Sequence, residues 1–163
     1  MALDMFMNMG ATIPGETRDS VQSKKKDIDV LAWSWGMSQS GTTHMGGGGG
    51  AGKANFQDLS FTKYVDSASN ALMVALAKGT HIPKCDLLVR KAGEGQHTYI
   101  QITMEEVLVT SVSTGGSGGE DRLTENVTLN FAKVNFGYSP QKADGSVDAV
   151  KPFKWNIAEN VAW

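Results

Sequence analysis

The sequence predicts a mainly β domain with one short helix, closed into a barrel or a tight sandwich. Three observations carry this. Apolar and polar residues alternate in seven separate segments, the period that places every second side chain on one face of a strand. One stretch, residues 67–78 (SASNALMVALAK), breaks that period with good helix formers. Glycine is concentrated: of 19 in 163 residues, seven fall in residues 41–52 and four in residues 115–119. Those two tracts read as loops, and the remaining composition is that of an ordinary globular chain.

The elements follow in order. Residues 3–9 set Leu3, Met5, Met7 and Met9 against Asp4, Phe6 and Asn8. Residues 27–39 carry Leu31, Trp33, Trp35 and Met37 on one face and Ile28, Val30, Ala32 and Ser34 on the other. A strand apolar on both faces is expected to be covered on both, by core and by another subunit. Residues 56–65 turn Leu59 and Phe61 inward, and Cys85, Leu87 and Val89 mark a fourth strand. In residues 98–112, Ile100, Ile102, Met104, Leu108 and Val112 share one side, against Tyr99, Gln101, Thr103 and, beyond them, Ser111. Residues 123–138 point Leu123, Val127, Leu129 and Phe131 inward and Thr124, Asn126, Thr128 and Asn130 outward. Residues 153–157 form the last strand. For the helix, Asp66 or Ser67 accepts from the free amides of the first turn, and Gly79 takes the left-handed conformation after the last. Leu72, Ala75 and Leu76, with Ala68 and Ala71, form its buried stripe, which closes one open end of a sheet.

Charge excludes whole classes of partner. Fifteen basic and 17 acidic residues leave a net charge of −2, so no global basic field recruits nucleic acid or anionic membrane. The one basic cluster, residues 24–26, runs straight into Asp27 and Asp29 and reads as a solvated loop. A single cysteine, Cys85, permits no intramolecular disulfide, which fits a reducing compartment. The N-terminal residues lack the basic and apolar regions of a signal peptide. No apolar run approaches the roughly 20 residues that span a bilayer.

The motifs that imitate enzymes fail on context. Residues 47–53 (GGGGAGK) match the start of a phosphate-binding loop, but Ala54 stands where a magnesium-holding hydroxyl belongs, and a strand follows instead of a helix. GGSGG at 115–119 satisfies G-x-S-x-G, yet His44, His81 and His97 all precede Ser117 and no helix follows. His81 and Cys85 have no second close pair to complete a metal site. Neither catalysis nor a cofactor nor a metal is expected.

Four blocks resemble a known family. They are DVLAWSWGMSQ at 29–39, HMGGGGGAGK at 44–53, DLSFTKYVD at 58–66 and VLVTSVSTGGSGGEDRLTENVTLNF at 107–131. Together, in order and over nearly the whole chain, they are similar to the haemolysin-coregulated protein (Hcp) family, the tube subunits of bacterial type VI secretion. The resemblance implies one domain over residues 1–163: a β-barrel of two sheets with one short helix on its side, assembling into a hexameric ring. Rings stack into a tube inside a contractile sheath, capped by a valine-glycine repeat spike. The tube is expelled from the bacterial cytoplasm without a signal peptide, and small effector proteins ride in its lumen. On this pattern Ser34, Ser113, Thr114 and Ser117 are expected at the channel surface, with the outward Tyr99, Gln101, Thr103 and Ser111 lining a hydrated lumen. Residues 40–53, with Gly41, His44, Met45, Gly46, Gly50 and Lys53, are expected to form a loop reaching the neighbouring ring, and residues 46–50 to be mobile unless a neighbouring subunit holds them. From the residues alone a second reading stays open: a monomeric β-barrel or sandwich module binding carbohydrate or protein, with Trp33, Trp35, Trp155 or Trp163 as a stacking platform.

Overall fold

The alternating segments become strands in a computed structural model that describes residues 3–41, 44, 52–91 and 97–163. In chain order they are β1 (Leu3–Asn8), β2 (Ile28–Ser34), β3 (Met37–Ser38), β4 (Asn55–Phe56), β5 (Leu59–Tyr64), β6 (His81–Lys91), β7 (Thr98–Thr114), β8 (Thr124–Tyr138), β9 (Lys151–Asn156) and β10 (Val161–Ala162). Helix α1 (Ala68–Lys78) lies between β5 and β6. The order β8-β5-β2-β1-β6-β7 is closed by a further β7–β8 pairing, so six antiparallel strands make a barrel. Closure removes most of the edges an open sheet would expose. β5 and β9 occupy successive stretches of β8, at residues 124–129 and 133–138. β10 extends β9, and β3 pairs with β4 in a separate ribbon.

Inside sit Met7, Ile28, Leu59, Phe61, Leu72, Leu87, Ile102, Met104, Leu129 and Val134, all fully buried. Each such side chain contributes about 1.5–3 kcal/mol relative to exposure. Helix α1 adds Ala68, Leu72 and Ala75 to this core and packs on β7. Its cap is Asp66, whose Oδ1 accepts from the Ala68 amide at 2.9 Å, while the Ser67 hydroxyl turns away to the Pro14 carbonyl. Gly79, at φ +64°, ends it with amide bonds from Gly79 and Thr80 back to Leu76 and Ala75. Leu76 is 37% exposed and does not belong to the buried stripe.

Bulges explain where the alternation misleads. In β2, Val30 pairs with Lys63 and Ala32 with Thr62, so Leu31 is an extra residue, and everything after it changes face. Trp33 therefore turns to the core, while Leu31, Ala32 and Ser34 are exposed, and the strand stops at Ser34. Ile28, Val30 and Trp33 are thus covered by the core, and among the described residues the opposite face has no cover. A second change of face crosses three strands at one level. Pro83 and Lys84, Glu105 and Glu106, and Ala132 and Lys133 all point away from the core, while the ladder keeps its register. Cys85, Met104 and Val134 are buried on one side of that level, and Ile82, Val107 and Phe131 on the other. Val107 and Val109 thus fill the places expected of Leu108, and Glu106 adopts a φ of +54°. Leu123 precedes β8 and is 44% exposed. The predicted strand 56–65 is trimmed to β5, with β4 split off, and the predicted strand 153–157 is shifted to β9 at Lys151–Asn156.

The segment between β1 and β2 straps the barrel. Arg90 reaches Asp19 across it, stacks 4.9 Å from the Phe6 ring, and keeps Phe6 buried on what alternation makes the outer face. The Gly15 amide donates to the Lys26 carbonyl at 2.7 Å.

Candidate functional site

Four strands turn one face to solvent instead of core. Along β5 and the first half of β8, Leu59, Phe61, Val127 and Leu129 go inward and Ser60, Thr62, Asn126 and Thr128 outward, and past their bulges Trp33 of β2 and Val112 of β7 turn inward between outward neighbours. Strand pairing then lines these side chains into rows. Ser34 lies beside Ser60, Ser60 beside Thr128, and Thr128 beside Ser111. The next row runs Ala32, Thr62, Asn126, Ser113. All eight are exposed or half-buried, and none carries a charge.

Many of the polar groups bond to one another. Thr62 Oγ1 donates to Asn126 Oδ1 at 2.6 Å, and the Thr128 hydroxyl meets those of Thr110 and Ser111, each at 2.7 Å. Beyond one margin, Asp58 accepts from Thr110 Oγ1 at 2.7 Å and from Asn130 Nδ2 at 2.9 Å, one on each oxygen. Beyond the other lies a cleft of about 590 Å³ lined by Glu16, Arg18, Asp29, Tyr64, Asp66 and Arg122, with the Arg122 guanidinium 3.7 Å over the Tyr64 ring.

The face has two open edges. β1 pairs with β2 only at Ile28 and Asp29, so residues 30–34 have no strand on the side away from β5. β6 pairs with β7 from Thr98 to Leu108, so residues 109–114 have none on the side away from β8. Among the described residues, both edges therefore present backbone groups without a strand partner.

Of the residues expected at a channel, Ser34 and Ser113 lie on this face in adjacent rows. Thr114 ends β7 opposite Glu125. Ser117 sits past the strand, its Oγ accepting from the Gly119 amide at 3.5 Å. Tyr99, Gln101 and Thr103 are elsewhere: Tyr99 packs edge-on against Tyr138 at 5.5 Å, and Thr103 Oγ1 bonds Asp86 at 2.6 Å. Gly41, His44 and Lys53 are exposed, whereas Met45, Gly46 and Gly50, and with them residues 46–50, lie outside the described residues. Lys53 lines an apolar groove of about 320 Å³ with Met37, Phe56, Phe153 and Trp155. Ser60 and Thr62 belong to the face and were not among the expected site residues. The alternation of Leu59 and Phe61 already places them outward.

The imitation motifs lead into strands. Lys53 is followed by β4 and Gly119 by β8, so neither has the helix its chemistry requires. Among the described residues, no three His, Cys, Asp or Glu side chains are grouped to hold a metal. Burial pushes the Cys85 thiol up to about 12, which leaves it unreactive. No helix among the described residues is long and apolar enough to cross a membrane. Trp35 stacks on Phe56 and Phe136 at 6.3 Å and donates to the Gln57 carbonyl, so its ring is committed to packing. Trp33 and Trp155 also pack on the core.

Comparison with known proteins agrees in sequence and in shape. Residues 6–138 match the family described as "Type VI secretion system effector, Hcp". The chain is 62% identical over 164 residues to protein hcp1 of Pseudomonas aeruginosa strain PAO1, covering 99% of both. The solved structure of a type six secretion system protein superposes with a TM-score of 0.89 at 28% identity, over 98% of this chain and 99% of that one. Hcp1 from Salmonella typhimurium gives 0.80 at 32% identity, over the whole of both chains. A closed barrel with one helix, matched along its length in sequence and backbone, places the chain in the Hcp family of type VI secretion proteins.

Proposed function

We propose that six copies of this chain close into a ring, edge to edge, with the faces of β2, β5, β8 and β7 turned to a central channel. The observation that carries this is the neutral, hydroxyl-rich face bounded on both sides by strand edges without partners. An open edge is a template for another chain, and a heterologous contact repeated by a constant rotation closes a ring. Ser34 and Ser113 then line the channel, and Thr114 and Ser117 stand at its rim. Rings stack into a hollow tube inside a contractile sheath, with a valine-glycine repeat spike at the tip and small effector proteins within. The loop carrying Gly41, His44, Met45, Gly46, Gly50 and Lys53 faces the neighbouring ring. Residues 1–163 act as one tube-subunit domain, without chemistry of their own. Export follows sheath contraction, from bacterial cytoplasm to the exterior. The carbohydrate-binding reading is left with Trp163 alone, 40% exposed and with the Lys133 and Lys154 ammonium groups over its ring, since Trp33, Trp35 and Trp155 pack on the core.

Native mass spectrometry with negative-stain imaging tests this. A species of six 17.4 kDa chains, seen as rings with an open centre, is expected. A strictly monomeric protein at high concentration would contradict it.

A further inference from the structure

We infer that the face of β2, β5, β8 and β7 accepts a polypeptide cargo through hydrogen bonding while remaining indifferent to its charge. The inference rests on the channel reading above and adds what that channel selects. Neither row, Ser34–Ser60–Thr128–Ser111 nor Ala32–Thr62–Asn126–Ser113, holds an ionised group. At one margin both Asp58 oxygens are engaged by Thr110 and Asn130. At the other, Glu16 and Asp29 offset Arg18 and Arg122, while Lys63 stands between Asp66 and Glu125. The rows themselves thus carry no fixed charge, and the ionised groups stand at the margins.

The hydrogen-bonding capacity points the same way. Thr62, Asn126, Thr128 and Ser111 spend theirs laterally on one another. Ser34, Ser60 and Ser113 make no side-chain bond among the described residues, and all three reach the solvent-facing surface. A hydroxyl both donates and accepts, so it serves a peptide N–H or a peptide C=O, whichever way the cargo chain runs. Such a lining holds a polypeptide weakly and without charge selection. Lateral bonding also stiffens it, so it does not reshape itself around one preferred partner.

The test uses assembled rings and three fluorescent peptides of about 20 residues, matched in hydropathy, with net charges of about +4, 0 and −4, each at roughly 50 and 500 mM salt. All three are expected to bind, with dissociation constants agreeing within about threefold across charge and salt. A spread of about tenfold or more, a steep salt dependence, or binding of none of the peptides overturns the inference. Ser34→Lys, with Ser113→Lys as an independent second variant, adds a cation per subunit to the rows. Either variant is expected to tighten the acidic peptide by about tenfold or more at low salt only. If both variants form rings and leave all three peptides unchanged, the peptides bind elsewhere and the inference fails. Mass measured on the same samples separates the two claims: a monomer overturns the ring reading, whereas a charge-selective ring overturns only this one.

Discussion

Lys63 and Glu125 occupy inward positions of their strands, two places along from Phe61 and Val127, and both are essentially fully buried. They bond each other, and the Lys63 ammonium also reaches Ser69 Oγ at 3.1 Å and Asp66 Oδ1 at 2.9 Å. The pair therefore fastens the start of α1 to the barrel wall. Desolvation offsets much of its Coulombic gain, but removing one partner strands the other charge in the core. Lys63→Met is expected to cost about 3–5 kcal/mol in urea unfolding, and Lys63→Met with Glu125→Leu to recover most of it. A double variant no more stable than the single would contradict this. Asp19 behaves differently because it is only half-buried. The Arg90 hydrogen bond, with help from the Gln22 and Val21 amides, lowers its carboxyl to about 2. The folded value is below the unfolded one of about 3.9, so this bond stabilises fully above that and is lost as pH falls towards 2. Asp19→Asn should flatten the fall in stability between about pH 4 and 2, measured by unfolding at each pH. An unchanged slope would refute the assignment.

At the scale of elements, legibility follows the bulges. β5 and the first half of β8 have none, so Leu59, Phe61, Val127 and Leu129 point where alternation places them, and Ser60 and Thr62 were readable as outward. β2 and β7 each carry an extra residue, Leu31 and Thr110, and period two fails beyond it because one insertion reverses every later side chain. The shared change of face through Pro83, Glu106 and Ala132 was invisible for another reason. It is an agreement among three strands distant in sequence, which no single strand records. Ser34 and Ser113 were found by family resemblance and not by pattern, since Ser34 lies past a bulge. The strap before β2 makes its own prediction. A Cβ on Gly15 would stand 2.3 Å from the Asp27 carbonyl oxygen and 2.6 Å from Ile28 Cα, backbone atoms that cannot yield cheaply. Gly15→Ala is expected to cost roughly 2–3 kcal/mol, seen as a Tm lower by about 5–10 °C. An unchanged Tm would show that the strap moves freely.

For the whole molecule, the barrel closes six strands, yet among the described residues β2 beyond Asp29 has a strand only on its β5 side and β7 beyond Leu108 only on its β8 side, and these stretches flank the neutral face. An open edge is a template for another chain, and the proposed ring uses both. The glycine tract at 115–119 lies between β7 and β8 at the margin of that face, with Gly116 against the Leu123 side chain. Amide hydrogen exchange on the assembled protein tests the central claim most directly. If neighbouring subunits join through these edges, residues 30–34 and 109–114 will exchange as slowly as the central strand β5. Rapid exchange at both segments, in particles whose mass is that of six chains, would contradict it.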